Sequence, residues 1–129
     1  MEQAVSRAVE WWNNLVLGPC LVFEPAADEE ACDVTVDFGE IPPDDLGHAY
    51  MHFVHGVMTT TEIVIADYVW WDASQLQAVV THELGHALGL ADEAVCDDKS
   101  LMCHVIPKEY GLLSTDAQWL TEHFSCSVY

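Results

Sequence analysis

Two histidines and a glutamate stand close together in residues 82–92, which read HELGHALGLAD. His82 and His86 have i, i+4 spacing, which on a helix places both side chains on one face, about 6 Å apart along the axis. Two imidazoles on one face can bind the same small cation, and Glu83 then lies beside the cation without having to bind it. This HExxH arrangement is typical of zinc-dependent hydrolases, in which the histidines hold the metal and the glutamate is a general base.

A third metal ligand is expected just after this helix, because catalytic zinc usually has three protein ligands and an open position for water. Gly89 can adopt the positive φ that ends a helix, and a chain reversal there could bring Asp92 to the metal. A carboxylate oxygen is an acceptable zinc ligand. The alternatives are that Glu93 is the ligand and that Asp92 is a solvated acid at the helix end, but the spacing of the motif favours Asp92.

The elements that must position these residues follow from hydrophobic periodicity and capping signals. They predict an α+β domain in which a first helix, a small sheet, the helix that carries the histidines, a loop and a closing helix follow one another along the chain. The apolar face of that helix comprises Leu76, Val79, Val80, Leu84, Ala87 and Leu88. Three helices are predicted: one at residues 3–16, one that begins at a capping box of Asp72 with Gln75, and one from Thr115 to about Phe124. Four strands are predicted at residues 21–23, 34–38, 47–54 and 59–66.

The composition excludes several classes of partner. The chain has 129 residues, which suggests one domain, and it carries 22 acidic against 3 basic residues, a formal charge of −19. Such a chain has no basic surface for nucleic acid or for an anionic membrane, and no stretch reaches the roughly 18 apolar residues of a membrane span. We interpret the acidity as a solubility or salt adaptation, with attraction of basic substrates as the alternative, and we expect a monomer.

Five cysteines are an odd count. Cys20 and Cys32 flank one segment, and Cys96 and Cys103 flank another, so either pair could form a disulfide in an oxidising compartment. Cys126 would be left over, and buried free thiols are the alternative for all of them. The N-terminus begins with a helical pattern and not with a signal region. We therefore expect either a protein that is not exported or a mature domain, and we favour a secreted or extracellular one.

The chain resembles the metzincin clan of zinc endopeptidases. Its third-ligand Asp92 is similar to that of the snapalysins, whereas the rest is similar to a reduced matrixin catalytic domain. The segments that carry the likeness are AVSRAVEWWNNL, ACDVTVDFG, GHAY, ADYVWW, SLMC, PKEYG and LLSTDAQWLTEHF. The resemblance implies a zincin fold with a twisted mixed sheet and three helices, including a central HExxH helix and a C-terminal helix. It also implies a single catalytic domain at residues 1–129, with subdomains at about 1–89 and 90–129.

The same resemblance assigns roles to further residues. Met102 of SLMC matches the Met-turn under the metal, and His104 is a candidate transition-state donor, with a surface histidine as the alternative. Gly47, His48 and Ala49 match the edge strand that binds substrate, and Tyr110 matches the wall of the specificity pocket. Ile65 stands where matrixins have a histidine, so we do not expect their structural zinc and calcium ions.

The resulting functional prediction is a zinc metalloendopeptidase in which Glu83 activates a zinc-bound water that attacks an extended polypeptide substrate. Two alternatives remain open at this point. One is a zinc-stabilised, protease-like binding module without turnover, and the other is a metal-dependent amidase that acts on a non-protein substrate.

Overall fold

The computed structural model describes residues 1–14, 23, 26, 28, 32–42, 45–92, 100–103, 110–111, 116 and 118–120. The fold is α+β, as predicted. Its elements in chain order are helix α1 (Glu2–Asn14), strands β1 (Val34–Gly39), β2 (Gly47–Val54) and β3 (Val57–Ala66), and helix α2 (Ala73–Ala87). A further helical segment includes residues 116 and 118–120, inside the predicted last helix.

Helix α1 packs one apolar stripe against α2. The stripe consists of Ala4, Ala8 and Trp12, which are buried and have the i, i+4 spacing of one helix face. Trp12 is fully buried, and its indole N–H donates a hydrogen bond to the carbonyl of Thr81 in α2, at 2.9 Å. This bond joins the first helix of the chain to the turn of α2 that carries His82.

The sheet has the order β1-β3-β2. Strand β3 pairs in parallel with β1 and antiparallel with β2, so the sheet is mixed and β2 lies at one edge. His55 and Gly56 connect β2 to β3 with φ values of 51° and 79°, as in the two-residue type I′ turn of hairpins. Because the turn is this short, β3 begins at Val57 and not at residue 59 as predicted.

The predicted strand at residues 21–23 is wrong at Phe23, and residues 21–22 lie outside the described part of the chain. The side-chain amide of Asn13 binds both backbone groups of Phe23: its nitrogen donates to the carbonyl and its oxygen accepts from the N–H, each at 2.9 Å. A side chain therefore makes the hydrogen bonds that a neighbouring strand would otherwise make.

Helix α2 lies between α1 and the sheet. It begins at Asp72, whose side chain accepts a hydrogen bond from the Gln75 N–H at 2.7 Å, so the predicted N-cap is present. The core around it contains the fully buried Ile63, Ile65 and Leu84. No helix in the described part of the chain is both long enough and apolar enough to span a bilayer.

The cysteines correct one of the predicted pairings. Cys32 is a free thiol whose sulfur donates to the carbonyl of Asp28 at 3.4 Å, so a disulfide between Cys20 and Cys32 is wrong. Cys103 is disulfide-bonded. Its partner lies outside the described residues, as do Cys20, Cys96 and Cys126, so the pairing with Cys96 stays a prediction.

Candidate metal centre

The two histidines of the motif lie at the C-terminal end of α2. His82 is buried and His86 is half-buried, and their ring centroids are 4.9 Å apart with the planes nearly perpendicular, at 81°. Their Nε2 atoms are 3.2 Å apart. The i, i+4 spacing therefore brings two potential ligand atoms together, as the sequence predicted.

The other nitrogen of each ring faces a backbone carbonyl. His82 Nδ1 is 2.7 Å from the oxygen of Leu101, and His86 Nδ1 is 2.7 Å from the oxygen of Leu90. A carbonyl oxygen only accepts hydrogen bonds, so each Nδ1 must carry the proton. A neutral imidazole then presents an unprotonated Nε2, the form in which histidine binds a metal. Burial lowers the pKa of His82 and favours this neutral form, although the hydrogen bond to Leu101 opposes the shift.

The chain reverses directly after α2. Gly89 has a φ of 99°, a value that only glycine adopts without strain. The Leu90 N–H donates to the Gly85 carbonyl at 3.0 Å, and the Gly89 N–H donates to the His86 carbonyl at 3.0 Å. These are the bonds of a Schellman motif. An ideal Cβ on Gly89 would lie 2.7 Å from the ring of Trp119, so this position has no room for a side chain.

The reversal brings Asp92 to the two histidines. Its Oδ1 atom is 3.0 Å from His82 Nε2 and 3.2 Å from His86 Nε2, and its side chain is 56% exposed. With both Nδ1 atoms protonated, these three atoms are all hydrogen-bond acceptors, and acceptors at such distances repel one another unless a cation or a shared proton lies between them.

The separations suit a tetrahedral zinc ion. Two ligands bound at about 2.0–2.1 Å with a tetrahedral angle between them are about 3.3 Å apart. The three separations between the Nε2 atoms and Oδ1 are 3.0, 3.2 and 3.2 Å. Two imidazole nitrogens and one carboxylate oxygen are also a donor set that catalytic zinc accepts. The residues present therefore fit the ion.

Glu83 is buried next to this group. One of its carboxylate oxygens and one ring nitrogen each of His82 and His86 all lie within 4.8 Å of one another. Burial, together with the negative charges of Asp92 and Asp45, raises the pKa of Glu83 to about 8. A cation at the histidines would oppose this shift, because positive charge favours the carboxylate. Glu83 thus has the position and the tunable pKa of a general base.

Met102 packs against α2 at Gly85, between the two histidines in sequence. It is fully buried, and an ideal Cβ on Gly85 would be only 2.5 Å from its sulfur and 3.2 Å from Trp12 Cζ2. Gly85 therefore lets Met102 and Trp12 approach the backbone of α2 between His82 and His86. The Met102 N–H donates to Ser100 Oγ at 3.2 Å, which fixes the turn. This contact explains a glycine inside the motif that the sequence reading left without a role.

The residues expected to bind substrate have different surroundings. An ideal Cβ on Gly47 would lie 3.0 Å from Glu83 Cγ, so the start of β2 lies beside the carboxylate. His48 is exposed and Ala49 is buried in the same strand. Tyr110 contacts Trp11 with ring centroids 5.5 Å apart, and His104 lies outside the described residues. The pocket-wall role of Tyr110 and the donor role of His104 stay predictions.

Comparison with known families is consistent with this geometry. The profile of the matrixins, peptidase family M10, matches residues 1–124. The chain therefore belongs to the matrixin family of metallopeptidases, as its resemblance implied. A search of curated proteins found no match.

Proposed function

We propose that this protein is a zinc-dependent endopeptidase in which His82, His86 and Asp92 hold one zinc ion. The observation that carries the proposal is the group of three acceptor atoms within 3.2 Å of one another. The Leu101 and Leu90 carbonyls orient both imidazoles, which is the arrangement that metal-binding histidines need. Membership of the matrixin family supports the same metal and the same class of reaction.

Glu83 is the general base of the proposed reaction. Zinc, when bound, supplies Lewis acidity to a water molecule and to the scissile carbonyl. Glu83 takes a proton from the attacking water and passes it to the leaving amine. Its burial favours this exchange, because a carboxyl group whose pKa lies near the operating pH can both accept and release a proton.

The substrate is proposed to bind in extended form along β2. Gly47 begins this strand beside Glu83, and the absence of a side chain there lets the carboxylate lie close to the backbone of the strand. Strand β2 pairs with β3 only along one side, so in the described part of the chain its other side is open to an added strand. Hydrogen bonds to Gly47, His48 and Ala49 would hold the substrate by its main chain.

Two measurements on purified protein test the proposal. Metal analysis should find about one zinc ion per chain, and a mixed peptide library should be cleaved at internal bonds. Cleavage should stop with a chelator and return with zinc. The Glu83→Ala variant should keep the zinc and lose turnover by several orders of magnitude. The Asp92→Ala variant should bind zinc at least about 100-fold more weakly, because second-shell changes alone cost 10–100-fold.

The matched control is Asp45→Ala, which removes a nearby negative charge without removing a proposed ligand. It should retain zinc. Cleavage that persists in the Glu83→Ala variant would overturn the proposed base, and protein that binds no zinc would overturn the whole proposal. Zinc without any cleavage would favour a binding module, and release of a non-peptide product would favour an amidase.

A further inference from the structure

The distal half of the β2–β3 hairpin carries exposed apolar side chains. Met51 and Phe53 on β2 are 41% and 57% exposed, and Val54 and Val57 at the turn are 54% and 65% exposed. Residues 46–61 contain no Asp, Glu, Lys or Arg, although the chain as a whole has 22 acidic residues. Natural proteins usually protect an edge strand with charge, so an uncharged apolar edge indicates a surface that pairs with another chain.

Met51 and Phe53 extend one face of β2, the face that lies beside the proposed active site. Side chains alternate along a strand, so Gly47, Ala49 and Met51 share one face. The register with β3 shifts between His52 and Phe53, so the face of Phe53 follows from its pairing partner. Gly47 is in close contact with α2 and Ala49 is buried, which identifies this face as the one that covers α2.

Pairing with β3 places Phe53 on the same face. Phe53 pairs with Met58, and the sulfur of Met58 accepts a hydrogen bond from the buried Thr61 at 3.3 Å. Thr61 in turn pairs with Met51. The small residues therefore lie over α2, and the large exposed residues follow where the hairpin extends beyond the helix. We call Met51 and Phe53 the distal shelf.

We propose that the distal shelf binds apolar side chains of a long, extended polypeptide substrate, several residues away from the bond that is cleaved. The inference rests on the proposed function, because the open edge that carries the shelf begins beside Glu83. A strand added to this edge would present alternate side chains to Ala49, Met51 and Phe53. The strong negative charge of the chain disfavours acidic substrates, so the preferred polypeptide is apolar and not acidic.

Strand geometry predicts which residues of the substrate contact the distal shelf. Strands rise about 3.3 Å per residue, which places Met51 about 13 Å and Phe53 about 20 Å beyond Gly47. Apolar substrate residues about four and six positions from the scissile bond should therefore raise kcat/KM. The substrate residues that alternate with them point to the other face of the sheet. Each cross-strand pair contributes about 0.2–1 kcal/mol, so we expect a gain in kcat/KM of roughly 2- to 30-fold from both positions together.

The test uses quenched fluorescent peptides that share one cleavable core with serine-rich flanks. A single phenylalanine is moved through positions three to eight from the scissile bond, in one series on the N-terminal side and in another on the C-terminal side. In one of the two series, kcat/KM should rise and fall with a period of two residues. The profile is measured as the ratio of each kcat/KM to that of the core peptide. Phe53→Thr should remove the maximum at about position six and keep the one at about position four, whereas Val54→Thr on the opposite face should preserve both.

Binding measured on the Glu83→Gln variant separates the shelf from the chemistry. Fluorescence anisotropy of the same peptides should show the same periodicity without turnover. Periodic binding with no cleavage by the wild-type protein would support the shelf and refute the proposed function. A flat profile in both series, or a periodic one that Phe53→Thr leaves unchanged, would overturn the shelf. If the profile is flat and the wild-type protein self-associates in a way that Phe53→Thr abolishes, the shelf binds a second copy of the chain, and the proposed substrate role is overturned.

Discussion

The buried carboxyl group of Glu83 should make the metal-free protein less stable as the pH rises. Its pKa is raised from an ordinary value of 4.5 to about 8, mainly by burial. Between these two values the folded protein keeps a proton that the unfolded chain releases, so the free energy of unfolding falls with increasing pH. The neutral isostere in Glu83→Gln carries no such penalty. The metal-free variant should therefore be more stable than the wild type at neutral pH.

The magnitude follows from the shift. Each pH unit between the unfolded and the folded pKa costs about 1.4 kcal/mol. At pH 7 the variant should thus gain about 3 kcal/mol, and near pH 4 the two proteins should unfold alike. The lowered pKa of His82 also makes stability depend on pH, but it acts in both proteins and largely cancels in the difference. Saturating zinc should remove most of the gain, because a nearby dication favours the carboxylate of the wild type.

Urea denaturation with a chelator, at several pH values from 4 to 9, measures this difference. Glu62→Gln is the matched control, since Glu62 is exposed on β3, and it should change stability by no more than about 0.5 kcal/mol. A Glu83→Gln variant that is less stable than the wild type at pH 7, or a difference that does not vary with pH, would refute the burial argument.

Three further variants probe the support of the site. Gly85→Ala should lower the free energy of unfolding by about 1–3 kcal/mol in urea titrations, because the added methyl group presses on Met102 and Trp12. Gly89→Ala should lower it by about 1–2 kcal/mol through its positive φ, and it should also weaken zinc binding in competition titrations. Trp12→Phe should cost about 1 kcal/mol by removing the hydrogen bond to Thr81, whereas Trp11→Phe, the control, should cost less.

The sequence was most informative where the site depends on local geometry. Helical periodicity alone places His82 and His86 on one face, and a glycine after the helix predicts the reversal that precedes Asp92. These inferences need only the repeat of one helix and the φ preference of one residue. Strand β2 and the N-cap at Asp72 were also predictable, since each follows from a pattern within about ten residues; the position of β2 at the edge came from the family resemblance.

Long-range contacts could not be predicted in this way. The carbonyl that orients His82 belongs to Leu101, nineteen residues further along the chain, and backbone carbonyls leave no trace in residue type. The amide of Asn13 replaces a predicted strand neighbour of Phe23, because a side chain can compete with the sheet for the same backbone groups. Such outcomes depend on which segments meet in three dimensions.

The orientation of the two imidazoles links the fold to the proposed chemistry. The Nδ1 atoms of His86 and His82 face the carbonyls of Leu90 and Leu101, respectively, and both carbonyls follow α2 in sequence. The protons are therefore fixed on the side of each ring away from Asp92. The turn that supplies the second carbonyl is positioned by Met102, which packs against Gly85 between the two histidines. Packing beneath α2 therefore determines which nitrogen atoms face the ligand site. A change that loosens Met102 should weaken metal binding before it alters any ligand, because the tautomer and the ring orientation both depend on this turn.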